Sequence, residues 1–145
     1  MENTFIQMLY PIHPKLVHFP IALVVSAMGM QGLGCLLRKE FLRNGAWLMF
    51  ILGVLSIPVI VWSGLLEADR LHLNHPILTA HKQFAFAAMW VALGSLPILW
   101  LMRFKSIRIF QTSFLVVLII VSGLLGLAAH QGGRMVYEYG VGVNQ

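Results

Sequence analysis

The sequence predicts an all-α membrane protein, a bundle of four transmembrane helices. Three observations carry that prediction. Four apolar stretches, roughly residues 17–37, 46–66, 81–102 and 109–130, each approach the ~20 residues a helix needs to cross ~30 Å of hydrocarbon. The chain of 145 residues is 59% apolar and only 10% charged, with a mean hydropathy of +0.82, far from the composition of soluble domains. None of the stretches alternates with the period of two that barrel strands require. Helices are then the remaining way to satisfy every backbone polar group inside lipid.

Each span has its own local signals. The first follows His13-Pro14, with proline suited to the opening turn of a helix and histidine beside the N-cap. It is too long for the core of a signal peptide and has no basic segment ahead of it, so the mature chain is expected to begin at Met1. Pro20 lies early, where a missing N–H costs little, whereas Pro58 in the second span is expected to kink it. The third span opens on His75-Pro76 and the fourth ends at His130. Gly29, Gly32 and Gly34, with Ser122 to Gly126, offer small-residue faces for close helix packing. Tyr10, Trp47, Trp62, Trp100, Tyr137 and Tyr139 fit interfacial aromatic belts. The segment after Gly132-Gly133 reads as a turn or strand-like cap. A single membrane domain, 1–145, accounts for the chain.

The pI of about 9.9 is a topology signal rather than a nucleic-acid footprint. Arg38, Lys39 and Arg43 occupy the first connection and Arg103, Lys105 and Arg108 the third, so six of the ten basic residues lie in two short loops on one side. The positive-inside rule assigns that side to the cytoplasm. Both termini and all six histidines (13, 18, 72, 75, 81 and 130) then face outward, to the periplasm of a bacterial inner membrane. The lipid bilayer is the first expected partner.

The two halves repeat the same landmarks. His13-Pro14, His18, a span, a basic loop, a span and Ser63-Gly64-Leu65-Leu66 are followed by His75-Pro76, His81, a span, a basic loop, a span and Ser122-Gly123-Leu124-Leu125. Each half crosses twice from the same side, which predicts two parallel two-helix pseudo-repeats about an axis along the membrane normal.

Histidines in the first turns of two helices, facing a bundle interior, are what b-type cytochromes use as axial haem ligands. The repeat pairs His18 with His81, and both lie in apolar surroundings where an unpartnered polar group is costly. His13 and His130 form a second candidate pair, for a second haem or as simple helix caps. His72 and His75 read as caps or headgroup-layer residues. Glu67 and Asp69 are candidates to orient the ligand rings, and Lys15, Arg70, Lys82 and Arg134 are available to haem propionates. The one cysteine, Cys35, cannot close an internal disulfide, and no C-x-x-C-H exists for covalent haem. Ion transport is disfavoured because the cytoplasmic halves of the spans contain no ionisable groups. Hydrolysis is disfavoured because no nucleophile–base spacing is present.

Two segments also carry a family resemblance: His13-Pro14-Lys15-Leu16-Val17-His18-Phe19-Pro20-Ile21-Ala22-Leu23, and Gly132-Gly133-Arg134-Met135-Val136-Tyr137-Glu138-Tyr139-Gly140-Val141-Gly142-Val143. Together they resemble the signatures of a bacterial membrane-protein family known as domain of unknown function 2231, over about His13 to Val143. The resemblance implies a four-helix membrane unit. Relatives joined to c-type cytochrome segments imply a role in electron transfer. His18 lies within the opening motif and His81 matches the family's histidine at the start of the third helix, whereas a histidine at position 130 is confined to part of the family.

The expected function is a protein with one haem b, or two, that passes electrons between a quinone pool or membrane redox complex and a c-type cytochrome. It is an electron carrier or oxidoreductase subunit more than a stand-alone enzyme, and its lipid-facing surface would permit a homodimer. Two alternatives stand beside it: a non-redox accessory or scaffold subunit, and an outer-face binder of copper or zinc through the same histidines.

Overall fold

A computed structural model describes residues 12–105 and 107–141, all of them helical or in short connections. A single turn, α1 (His13–Leu16), leads through Val17 into α2 (His18–Leu36), and α3 (Glu40–Arg70), α4 (Pro76–Lys105) and α5 (Ile107–Tyr137) follow. Four helices, His13–Leu36, Glu40–Arg70, Pro76–Phe104 and Ile107–Tyr137, are long and apolar enough to cross a membrane. Each runs beyond its apolar stretch, because backbone hydrogen bonding continues past the last residue in hydrocarbon. α3, for example, adds a polar turn at both ends. Short connections make α2–α3 and α4–α5 antiparallel hairpins. The two hairpins join through α2 on α5 and α3 on α4.

Several local expectations change. α1 begins at His13 itself, with Ile12 as N-cap and Pro14 one residue further in. At the second site the expectation holds: Pro76 starts α4, and its neighbour His75 accepts the Ile77 backbone N–H on Nδ1 at 3.2 Å. His130 does not end the last helix. α5 continues through Gly132 and Gly133 to Tyr137 before turning at Gly140 (φ 64°), so the strand-like cap is replaced by two more turns of helix. Pro58 and Pro97 both lie inside helices that are continuous around them. Tyr10 and Gly142 lie outside the described residues.

The core is a column of apolar side chains from all four long helices. Val24, Phe50, Val54, Leu99, Phe114, Leu118 and Val121 are fully buried within it. Trp47, expected in an interfacial belt, is instead 7% exposed and meets Phe110 and Phe114 edge-on at ring-centroid distances of 5.5 and 5.2 Å. Trp62 and Trp100 do face outward, among lipid-facing residues such as Leu48, Leu55 and Ile119. Glycine packing also differs from expectation. A side chain at Gly29, Gly32, Gly123 or Gly126 would meet nothing within 4 Å. At Gly53 a Cβ would stand 3.0 Å from Val24, and at Gly34 2.7 Å from Cγ of Arg43, so these two let α2 and α3 approach closely.

The burial pattern sets the register of the repeat. Val24 and Ala92, Ala27 and Ser95, Phe50 and Leu118, Ile57 and Leu125, and Ile60 and Ala128 are buried pairs, each separated by 68 positions. The sequence landmarks suggested smaller and unequal shifts, 62 for the His-Pro pairs and 59 for Ser63 and Ser122. The His-Pro landmarks sit at helix starts, where connection lengths differ, and Ser63 and Ser122 lie inside their helices at non-equivalent positions, whereas register is set by which residues face the core.

α2 and α3 end alike, on non-glycine residues in the left-handed region: Arg38 (φ 55°) and His72 (φ 49°). Each end is closed by a bond from the next residue's N–H, Lys39 to Gly34 and Leu73 to Ala68, both at 3.0 Å. A side chain costs about 1–2 kcal/mol in that conformation, partly offset by the greater backbone entropy that glycine loses on folding. His72→Gly is therefore expected to stabilise the protein by about 0.5–1 kcal/mol, read as a raised thermal midpoint in detergent. An unchanged or lowered midpoint would mean that the histidine ring contributes contacts of its own.

Candidate functional site at the histidine end of the bundle

The imidazoles that meet are those of His13 and His81. Their ring centroids are 6.1 Å apart and their planes cross at 87°. Nδ1 of His13 lies 3.0 Å from the Ile60 carbonyl oxygen and 3.0 Å from Ser63 Oγ, and Nδ1 of His81 lies 2.8 Å from the Ala128 carbonyl oxygen. A carbonyl can only accept, so each ring carries a proton on Nδ1, and in the neutral tautomer with that proton Nε2 keeps its lone pair. The Ser63 hydroxyl donates to the same Ile60 carbonyl at 2.7 Å, leaving its oxygen to accept from His13.

The two halves of this arrangement are counterparts at the same 68-residue shift: His13 with His81, Ile60 with Ala128, and Gly64 with Gly132. In each, the histidine reaches a carbonyl 47 residues further along the chain. Gly64 lies directly against the His13 ring, where a Cβ would stand 2.7 Å from Cε1. Gly132 leaves more room, with His81 Cε1 at 3.5 Å.

His18, expected opposite His81, is exposed on the outer surface of α2. Five residues separate it from His13, about 140° around a helix, so the two cannot face the same side. His130 is likewise exposed, two residues beyond Ala128. The structure thus brings together one member of each expected pair. Glu67 and Asp69 do not orient the rings, because backbone carbonyls take that place. His75 caps α4 and its ring stands 4.5 Å from that of Tyr139, pinning the turn after α5. His72 terminates α3.

Of the expected cations, Arg70 pairs with Glu67 at 2.7 Å and Arg134 with Glu138 at 2.9 Å. The hydrogen bond from Arg134 holds the Glu138 carboxyl below its ordinary range. Lys15 is exposed, and Lys82 lines a cleft of about 290 Å³ with Asp69 and His72. Among the described residues, no three of His, Cys, Asp and Glu converge on a common metal position.

Ile60, Ser63, Ala128 and Gly132 were missed as site residues. One regularity could have found part of the set: His13 and Gly64 have the same spacing as His81 and Gly132. Gln31 was also missed. It is fully buried near the other end of the bundle and bonds through its amide to Gln111.

No curated protein and no solved structure matches the chain. A family model described as "Predicted membrane protein (DUF2231)" matches residues 9–145, so it covers the histidine pair and all four membrane-spanning helices, and the chain belongs to that family.

Proposed function

We propose that this membrane protein holds one haem b between His13 and His81 and carries electrons at the histidine end of the bundle. The observation behind the reading is a pair of neighbouring imidazoles, each tied through Nδ1 to a backbone carbonyl, which leaves both Nε2 lone pairs available to a metal. The centroid separation of 6.1 Å puts both rings within reach of one metal ion.

The donor count favours haem over a bare ion. Tetrahedral zinc needs three or four protein ligands, whereas a porphyrin supplies four nitrogens and leaves only two axial positions to the protein. Exposed His18 and His130 have no facing imidazole, so the reading is one haem rather than two. Bound haem would supply a one-electron couple. The residues would hold it, fix the ring tautomers and, through Lys82, offer an ammonium to a propionate. On the positive-inside rule this end faces the periplasm, where a c-type cytochrome could dock, with quinone or a membrane complex as the other partner.

Protein purified in mild detergent from haem-replete cells tests the reading. A reduced-minus-oxidised spectrum with pyridine haemochrome quantification is expected to show b-type haem at about one per chain. Protein with no Soret band and no bound iron would overturn it. Metal without porphyrin would favour a copper or zinc binder.

A further inference from the structure

The two ends of the bundle handle charge in opposite ways. Both ion pairs among the described residues, Arg70–Glu67 and Arg134–Glu138, lie at the histidine end. The connection end carries Arg38, Lys39, Arg43, Arg103 and Arg108 and, among the described residues, a single acid, Glu40, and none of these cations makes an ion pair.

Two of these cations are held in place by contacts that leave their charge uncompensated. Arg43 lies against Gly34, where the missing side chain makes room for its stem, and its Nη1 donates to the Gly34 carbonyl at a long 3.4 Å. Its Nε is buried without a hydrogen-bond acceptor. One helical turn along α3, the Trp47 ring carries the Arg103 guanidinium 5.8 Å from its centroid. An arginine whose position is already set loses less side-chain freedom when it binds an anion.

The neighbours of these cations identify the anion's source. Leu36, Leu37, Phe41, Phe104 and Ile107 are exposed large apolar residues within three positions of a cation. Cationic and apolar side chains interleaved in this way match a molecule with an anionic headgroup and acyl chains. Neither a free anion nor a nucleic acid would cover the apolar members.

We propose that the connection end binds anionic phospholipid, with Arg43 and Arg103 holding the headgroup phosphate and the exposed leucine and phenylalanine side chains contacting its acyl chains. The site does not depend on haem. Arginine–phosphate hydrogen bonds are charge-assisted, and each cation near an anionic bilayer surface contributes about 1 kcal/mol. Two such contacts correspond to a preference of about tenfold or more.

Native mass spectrometry of the delipidated full-length protein, titrated with phosphatidylglycerol or phosphatidylcholine of identical acyl chains, provides the test. Wild-type protein is expected to retain phosphatidylglycerol about tenfold better. Arg43→Gln with Arg103→Gln should bring the ratio close to one, while Arg70→Gln with Arg134→Gln, an equal change in charge at the opposite end, should leave it intact. Equal retention of the two lipids by wild-type protein overturns the proposal, and that comparison needs no variant to fold. Equal loss of preference in both double variants also overturns it, because it would reflect net charge rather than a site.

Discussion

Alanine at position 13 or at position 81 is expected to abolish the b-type spectrum, and alanine at position 18 to leave it intact. Each imidazole would supply one of two axial nitrogens, so losing either removes half of the protein's grip on the iron. Even indirect changes around a metal centre cost 10–100-fold in affinity, and removal of a ligand should reduce haem content by at least that factor. His18 is exposed on the bundle surface and contacts neither ring. The measurement is haem per chain after purification, with circular dichroism to verify that each variant is still helical. If His18→Ala and His81→Ala bleach the protein while His13→Ala does not, the pairing expected from the repeat is correct and the His13–His81 contact is a structural device.

A second large effect is expected from one substitution made at two equivalent positions. Alanine favours a helix interior over glycine by about 0.5–1 kcal/mol, so both Gly64→Ala and Gly132→Ala start from a gain. At Gly132 the new methyl would lie 3.5 Å from His81, an ordinary contact, and the gain should remain. At Gly64 it would lie 2.7 Å from the His13 ring, which must move away from Ile60 and Ser63. Each hydrogen bond lost costs about 1 kcal/mol, so Gly64→Ala should be net destabilising by about 1 kcal/mol and should reduce haem content as the ring tilts. Thermal midpoints in detergent together with haem content separate the outcomes. Equal effects at the two positions would mean that the His13 ring relaxes freely.

Much of the fold was legible in the sequence, and for one reason. Lipid forces every backbone polar group to be satisfied within the chain, so long apolar stretches have to be helices. Their number, their approximate limits and the placement of basic residues in two connections follow from hydropathy and charge alone. The grouping of the histidines at one end follows from the same count of crossings, and two sequence motifs pointed to the family.

Facing around each helix could not be read in this way. In a soluble bundle an apolar stripe marks the buried side, but lipid tails are as apolar as leucine, so the buried and exposed faces of these spans carry the same residue types. Phe50 is wholly buried while Leu48 and Leu52 beside it are exposed, and Trp47 lies in the core while Trp62 on the same helix faces out. The choice of His13 rather than His18 is another case of facing. It turns on close contact at Gly64 and on carbonyls of Ile60 and Ala128 that no composition reveals.

By itself the sequence determined a four-span membrane protein of the DUF2231 family with its histidines at one end and its basic connections at the other, because the bilayer constrains hydropathy and charge directly. Only the tertiary structure decided which two imidazoles meet, which glycines bring helices together and that the halves repeat at 68 residues, because those features depend on helix rotation, and rotation in lipid is set by packing between helices.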